Sequence, residues 1–133
     1  MNNLGNTYNK IGDYEEAKKY LVKSLLIKKN PYTFNNLANS YKGMGNNKEA
    51  INNLLQAIKI EKDSSKIYFN LAEMFLSIGD LNNSKKFFNK TIELDQNHEA
   101  ANFKMDLLNG KLKGEFPKNY LKNYFNDYAE TFE

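Results

Sequence analysis

Apolar residues recur along most of the chain at intervals of three and four, the spacing that places them on one face of an α-helix. Short polar stretches rich in glycine, asparagine and lysine separate these amphipathic segments, and no segment requires a β-strand. The pattern therefore predicts an all-α chain with eight helices, near residues 2–11, 14–28, 31–44, 47–61, 65–78, 81–94, 98–109 and 117–131.

The first six helices repeat a single pattern. Leucine followed by glycine or alanine occurs three times, with 33 residues from Leu4 to Leu37 and 34 from Leu37 to Leu71. A period of this length is typical of arrays of helical hairpins, in which each repeat covers its neighbour. Each repeat has a bulky residue, the leucine, its small neighbour and an aromatic residue at matching positions: Met1, Leu4, Gly5 and Tyr8; Phe34, Leu37, Ala38 and Tyr41; and Tyr68, Leu71, Ala72 and Phe75.

The turn and the second helix of each hairpin also repeat. Glycine can adopt left-handed geometry at the end of a helix, and a following Asp or Asn can cap the next helix with its side-chain oxygen. Small residues in the second helix allow close approach, beside a large residue that fills the gap. The turns are Gly12-Asp13, Gly45-Asn46 and Gly79-Asp80, followed by Ala17, Leu21 and Ser24; Ala50, Leu54 and Ala57; and Ser84, Phe88 and Thr91.

These positions resemble the tetratricopeptide repeat family, whose signature is Trp-x2-Leu-Gly-x2-Tyr, then Ala-x3-Phe, then Pro. The resemblance covers about residues 1–96, with repeats at about 1–30, 31–64 and 65–96. It implies a right-handed α-solenoid of about three helical hairpins with extra C-terminal helices. Lys62 and Gln96 stand where proline is common, Ser84 replaces an alanine, and Met1 begins the first helix almost a turn late, which suggests a start inside a longer array.

The repeat pattern fades after Asp95. Residues 97–116 are expected to form an extra helix on the third hairpin and a short loop, and Pro117 suits the first position of a new helix. Two interpretations of the last helix, residues 117–133, stay open: a cap over the end of the solenoid, or a linker to another domain. Its aromatic stripe comprises Tyr120, Leu121, Tyr124, Phe125, Tyr128 and Phe132.

The linker interpretation comes from a second resemblance. The sequence from Pro117 to Glu133 is similar to the segment that joins repeats to a class I S-adenosylmethionine-dependent methyltransferase domain in bacterial fusion proteins. Asn126 precedes Asp127 where that family more often has the acid directly after Phe. The resemblance implies a parent protein whose repeats recruit a protein substrate. The strand, glycine-rich turn and helix that bind the cofactor in such domains do not occur in this sequence, so no cofactor is expected.

The first helix of each hairpin is expected to line the concave surface, where extended partners bind in helical solenoids. Asparagine precedes each repeated leucine, and a polar residue follows three positions later on the same helical face. A side-chain amide both donates and accepts hydrogen bonds, so a row of amides can pair with successive peptide groups of an extended chain. The predicted peptide-binding residues are Asn3, Asn6, Tyr32, Asn36, Asn39, Lys66, Asn70 and Glu73.

This row resembles the asparagine ladder of the repeat domains attached to protein O-linked N-acetylglucosamine transferases. The resemblance implies recognition of a partner's backbone by Asn3, Asn36 and Asn70. The alternative is an asparagine-rich sequence in which polar residues coat a solvated groove, because residues such as Asn52 follow no repeat pattern. A carboxylate clamp is disfavoured, because Lys66 is the one cation expected on this face and arginine is absent.

Composition narrows the class of partner. The net charge is +3 at pH 7, but lysines and acids are interleaved, and no arginine supplies the forked guanidinium that nucleic-acid recognition favours. No apolar run approaches the roughly 18 residues of a membrane span, and the absence of cysteine excludes disulfides and thiolate metal sites. The sequence predicts a cytoplasmic protein with a protein or peptide partner and with neither nucleic acid nor membrane as a partner.

Candidate catalytic groups are few. His98 is the only histidine, and its place between the third hairpin and the next helix favours a structural role over a metal site or a general base. No serine or threonine has a recognisable histidine and acid partner. We therefore expect a protein-interaction module without catalytic residues or metal. Self-association into a homodimer through exposed solenoid ends stays open as an alternative.

Overall fold

The computed structural model describes residues 2–110, in which seven α-helices follow one another and no β-strand occurs. Each helix begins and ends within one residue of its predicted bounds, so the predicted all-α architecture is confirmed. The predicted loop at 111–116 and helix at 117–131 lie outside the described residues, as does Met1. The helices are α1 Asn2–Lys10, α2 Tyr14–Ile27, α3 Pro31–Gly43, α4 Asn47–Ile60, α5 Ser65–Ser77, α6 Leu81–Leu94 and α7 Glu99–Leu108.

The turn inside each hairpin has the predicted chemistry. The turn glycines Gly12, Gly45 and Gly79 have φ values of 86°, 79° and 81°, in the left-handed region that favours glycine. The next residue caps the second helix, because its side-chain oxygen accepts a hydrogen bond from a backbone amide three positions later. These capping bonds join Asp13 to Glu16 at 3.4 Å, Asn46 to Glu49 at 3.3 Å and Asp80 to Asn83 at 3.2 Å.

Buried apolar clusters join each hairpin to the next. Leu37 of α3 packs in one cluster with Ala17 and Leu21 of α2. Leu71 of α5 packs in another with Leu54 of α4. Since each cluster spans two repeats, the core is a continuous row between the first and second helices, and each hairpin depends on its neighbours for stability. The chain is thus an α-solenoid.

Helix α7 extends the stack beyond the third hairpin, as predicted. Ala101 of α7 is fully buried in a cluster with Phe88 of α6 and Ala72 of α5. Lys104 follows Asn70 by 34 residues, the repeat spacing that also separates Leu37 from Leu71. Helix α7 therefore takes the place that the first helix of a fourth hairpin would occupy.

Candidate functional site

The eight residues predicted to bind a peptide all lie on the first helices α1, α3 and α5. Some of these side chains line two hollows on the surface, some connect adjacent repeats, and the rest lie outside both arrangements. Their burial follows no single rule: Asn3, Tyr32, Asn39 and Lys66 are exposed, and Asn6, Asn36, Asn70 and Glu73 are half-buried.

An open hollow of about 490 Å³ lies between α1 and α3. Amide and ammonium groups from both helices converge on it, so it offers hydrogen-bond donors and acceptors together with positive charge. Two predicted residues, Asn6 and Asn39, contribute to this lining. The full lining is Asn6, Asn9, Lys10, Tyr14, Asn39, Lys42 and Gly43.

A second, smaller hollow of about 140 Å³ lies between α3 and α5. It shares Asn39 and Lys42 with the first hollow, so the two adjoin and run across three successive first helices. We call the two hollows together the groove. The second hollow combines an apolar floor with polar groups, and its lining is Ala38, Asn39, Lys42, Leu54, Phe69, Asn70, Glu73 and Met74.

Two of the predicted asparagines also join adjacent repeats. Asn36 Nδ2 donates to Asn2 Oδ1 at 2.9 Å, and Asn70 Nδ2 donates to Asn35 Oδ1 at 2.8 Å. The two bonds are the same contact in successive repeats, because both donors and both acceptors follow the repeat register. Each bond satisfies amides that are costly to remove from water, since Asn35 is buried and the other three are half-buried. Part of the asparagine row therefore holds the first helices in register.

A polar network that the sequence analysis missed lies beside this row. Asn9 Nδ2 donates to the Asn36 carbonyl oxygen at 2.8 Å, and Ser40 Oγ donates to Asn9 Oδ1 at 2.7 Å. Ser40 is fully buried, where hydrogen bonds are stronger than in water. The repeat gave no signal for these two residues, since Lys42 and Met74 occupy the matching positions one repeat later.

An ion pair closes the far side of the second hollow. Lys104 Nζ of α7 lies 3.3 Å from Glu73 Oε2, and the two side chains are 16% and 29% exposed. The sequence analysis missed Lys104 because α7 lacks the Leu-Gly-x2-Tyr pattern. Lys104 could have been predicted from its position, because it lies one repeat spacing of 34 residues after Asn70. The carboxylate on this side is therefore partly neutralised by the protein itself.

The groove carries more positive charge than the sequence analysis counted. Lys66, the one cation expected on this face, is exposed but lines neither hollow. Lys10 and Lys42 line the groove instead. They follow Asn6 and Asn39 by four and three residues, so each shares a helical face with its asparagine. Two ammonium groups therefore line the surface on which the sequence predicted a single cation.

His98 has the structural role that its position predicts. Its Nδ1 accepts a hydrogen bond from the Ala101 backbone amide at 3.1 Å and so caps α7. Its ring centroid lies 4.7 Å from that of Phe69. In the described part of the chain, no three side chains among His, Cys, Asp and Glu cluster as metal ligands. None of the helices within residues 2–110 has the length and apolar character that crossing a membrane requires.

Two protein-family models match the chain. A model described as "Tetratricopeptide repeat" matches residues 1–31 and 65–98, and a model described as "TPR repeat" matches residues 38–79. Together the matched segments include part of every hairpin and cover more than half of the 133 residues. No curated protein matches the chain.

Solved structures share the arrangement of helices. The Yersinia enterocolitica type III secretion translocator chaperone SycD superposes with a TM-score of 0.77 at 19% identity, covering 83% of this chain and 81% of SycD. The first TPR domain of RPAP3 (Spaghetti), bound to the HSP90 peptide SRMEEVD, gives 0.77 at 23% identity, covering 82% and 89%. The second TPR domain of human RPAP3, in complex with the HSP70 peptide SGPTIEEVD, gives 0.74 at 24% identity, covering 84% and 92%. At these identities the likeness concerns the fold.

Proposed function

We propose that this chain, which belongs to the tetratricopeptide repeat family, is a protein-interaction module that binds an extended peptide in the groove. The observation that carries the proposal is the pair of adjoining hollows that share Asn39 and Lys42 across three successive first helices. Proteins of the same fold offer a parallel, since an RPAP3 domain holds an HSP90 peptide and SycD holds a peptide of the translocator YopD.

The spacing of the first helices suits an extended ligand. Packed helices lie about 8–10 Å apart, and an extended chain rises about 3.3 Å per residue. Each repeat would therefore meet about every third residue of the ligand. Asn6, Asn39 and Asn70 would donate to and accept from its peptide groups, which gives affinity with little dependence on sequence.

The charges of the groove favour one orientation of the proposed ligand. Lys42 lines both hollows, but Lys10 lines only the one between α1 and α3, and the one between α3 and α5 has Phe69, Glu73 and Met74 in its lining. A ligand carboxylate would form its stronger, charge-assisted hydrogen bonds with the lysines. An apolar ligand side chain would cover the second hollow. We propose that the ligand lies with an acidic group toward α1 and an apolar residue toward α5.

The other predicted residues take secondary parts in this proposal. Asn36 would act mainly by keeping α1 and α3 in register, through its bond to Asn2. Asn3, Tyr32 and Lys66 lie outside the two hollows, so they would contact only the parts of a ligand that extend beyond the groove.

The proposal can be tested by selecting peptides that bind the chain and then mapping where they bind. The full chain would be used to select peptides from a phage-displayed library of random 12-residue sequences. Chemical-shift changes on adding a selected peptide should concentrate on the side-chain amides of Asn6, Asn39 and Asn70. Changes concentrated on the exposed amides of Asn52 and Asn82, in the second helices α4 and α6, would contradict it.

A narrower proposal makes the repeats the substrate-recruiting part of an S-adenosylmethionine-dependent methyltransferase. Its support is the resemblance in residues 117–133, which lie outside the described residues, whereas the family matches lie within residues 1–98. Reading the gene beyond Glu133 tests it. A strand, a glycine-rich turn and a helix encoded there would support the methyltransferase proposal, and an immediate stop codon would contradict it.

A further inference from the structure

An apolar notch of about 430 Å³ lies between α4 and α6, on the side of the second helices. Ile58, Tyr68 and Phe87 supply its apolar surface, and three charged side chains complete its lining. We call this cavity the outer notch. The charged residues are Lys86, Lys90 and Glu93.

Stacked rings and ammonium groups occur together in the outer notch. The Phe87 ring stacks on Phe75, with centroids 5.6 Å apart, and lies 6.1 Å from the Tyr68 ring. Lys86 Nζ lies 5.3 Å from the centroid of Phe87, and Lys90 Nζ lies 5.8 Å from that of Tyr68. Such a site suits a ligand that brings another aromatic ring and negative charge.

The repeat fold does not require this chemistry. One repeat earlier, α4 carries polar amides where α6 carries the lysines and the phenylalanine of the notch. Asn53, at the position of Phe87, donates to the Glu49 carbonyl oxygen at 2.8 Å. A hairpin of this fold therefore also forms with an amide at this position. The residues that match Lys86, Phe87 and Lys90 are Asn52, Asn53 and Gln56.

We propose that the outer notch binds the acidic, aromatic segment of this same chain from Asp127 to Glu133. This segment, Asp-Tyr-Ala-Glu-Thr-Phe-Glu, contains three carboxylates, two aromatic rings and no cation. Tyr128 and Phe132 supply rings for the apolar surface, and the carboxylates complement Lys86 and Lys90. Because Glu93 pairs with Lys90 at 3.7 Å, binding replaces one exposed ion pair with several charge contacts. The inference is independent of the peptide bound in the groove.

The covalent connection favours this segment over a free peptide. A notch that holds one or two rings gives weak binding, with a dissociation constant of about 1 mM. The covalent connection raises the effective concentration of this segment near the notch to about the same value. The predicted loop 111–116 can span about 20 Å when extended, and the predicted helix that begins at Pro117 carries the chain about 15 Å further by Asp127. Since the 14-residue helix α6 is only about 21 Å long, this connection is long enough to reach the notch.

Photo-cross-linking of the full chain tests the inference. Phe132 would be replaced by p-benzoylphenylalanine, and the cross-linked residues of the monomer would be identified by mass spectrometry. The inference expects cross-links to Ile58, Tyr68 or Phe87. The double charge reversal Lys86→Glu with Lys90→Glu should lower their yield about fivefold, which corresponds to about 1 kcal/mol.

A matched control separates the notch from general charge effects. Lys19 and Lys23 occupy in α2 the positions that Lys86 and Lys90 occupy in α6, so Lys19→Glu with Lys23→Glu makes the same charge change. This control should leave the yield unchanged. Phe87→Asn, which copies the native residue one repeat earlier, provides a second variant that should also lower the yield about fivefold.

Three outcomes would overturn the inference. Cross-links to α7 or to the groove would place the segment elsewhere. Cross-links to the outer notch found only between two molecules would assign the notch to a second copy. A yield that responds equally to the α2 and α6 charge reversals would mean that net charge alone governs the contact.

Discussion

The first and third hairpins have the same pattern of residues but a different environment. Leu71 is fully buried, whereas Leu4, at the matching position of the first hairpin, is 42% exposed. Helix α4 supplies Leu54 to the cluster that covers Leu71, and no described helix precedes α1. The repeat pattern therefore specifies a hairpin, but neighbouring hairpins decide how much of that hairpin is buried and how stable it is.

The same comparison extends to the small residue beside each leucine. Ala72 fills its place in the third hairpin, and its carbonyl oxygen accepts a hydrogen bond from Ser84 Oγ at 3.0 Å. At Gly5 a Cβ atom would lie 2.5 Å from Leu21 Cγ, because the two helices of the first hairpin approach closely. The first hairpin is thus open on its outer side but tightly packed within.

Leucine truncation gives the largest difference between the two hairpins. Leu71→Ala should lower the free energy of unfolding by about 3–5 kcal/mol, because it leaves a cavity in a closed core. Leu4→Ala should cost about 1 kcal/mol, because the side chain is partly in water already. Urea unfolding followed by circular dichroism measures both free energies. Equal losses would show that the two leucines do not differ in their contribution to stability.

Gly5→Ala tests the close packing within the first hairpin. Helix propensity alone predicts a gain of about 1 kcal/mol. The contact with the fully buried Leu21 should reverse that sign and give a net loss of about 1–2 kcal/mol. Ala38→Gly, the opposite change at the matching position of the second hairpin, serves as the control and should cost about 1–2 kcal/mol, because it also removes a buried methyl group. A stabilised Gly5→Ala protein would show that Leu21 can move aside.

Loss of the hydrogen bond that caps the start of α7 should loosen the packing of α7 on the third hairpin. The third hairpin should then be less stable, as the first one is. His98→Ala removes the hydrogen bond to the Ala101 amide and should cost about 1 kcal/mol. His98→Asn restores a capping group and should retain most of the stability. Hydrogen exchange of the α7 amides should accelerate in the alanine variant alone. The same acceleration in both variants would assign the effect to the contact between His98 and Phe69.

The smallest effect concerns the ion pair between α5 and α7. Lys104→Met should lower the free energy of unfolding by about 0.5–1 kcal/mol, because the pair is only partly buried. The loss should shrink as salt is added, since ions screen the charges. Lys19→Met, which removes the more exposed pair with Glu16, is the control and should cost less. A loss independent of salt would point to packing of the lysine stem.

Local features of the sequence were sufficient to predict the helices. Apolar periodicity located each one, and the glycine turns with their capping residues fixed the ends, because these signals act within a few residues. Ser84 departs from the repeat pattern, and the structure explains it, since the buried hydroxyl meets the Ala72 carbonyl oxygen.

The groove was less predictable, because it depends on how repeats stack. The bonds from Asn36 to Asn2 and from Asn70 to Asn35 require two first helices at a particular distance, which no single repeat encodes. Lys42 was missed because it lies five residues after Leu37, outside the positions that the repeat pattern marks. Helical geometry brings it to the same face one turn later.

We claim that the first helices bind the ligand, and a measurement of affinity decides whether they do. Asn36 and Asn70 also join the repeats, so the exposed pair Asn39 and Lys42 gives the cleaner substitution. For a peptide selected on the full chain, calorimetric titration of Asn39→Ala with Lys42→Ala should show an affinity about tenfold lower. The matched change on α4, Asn52→Ala with Lys59→Ala, should leave the affinity within about twofold. Equal affinities for the two double variants, both with intact helicity, would contradict the claim.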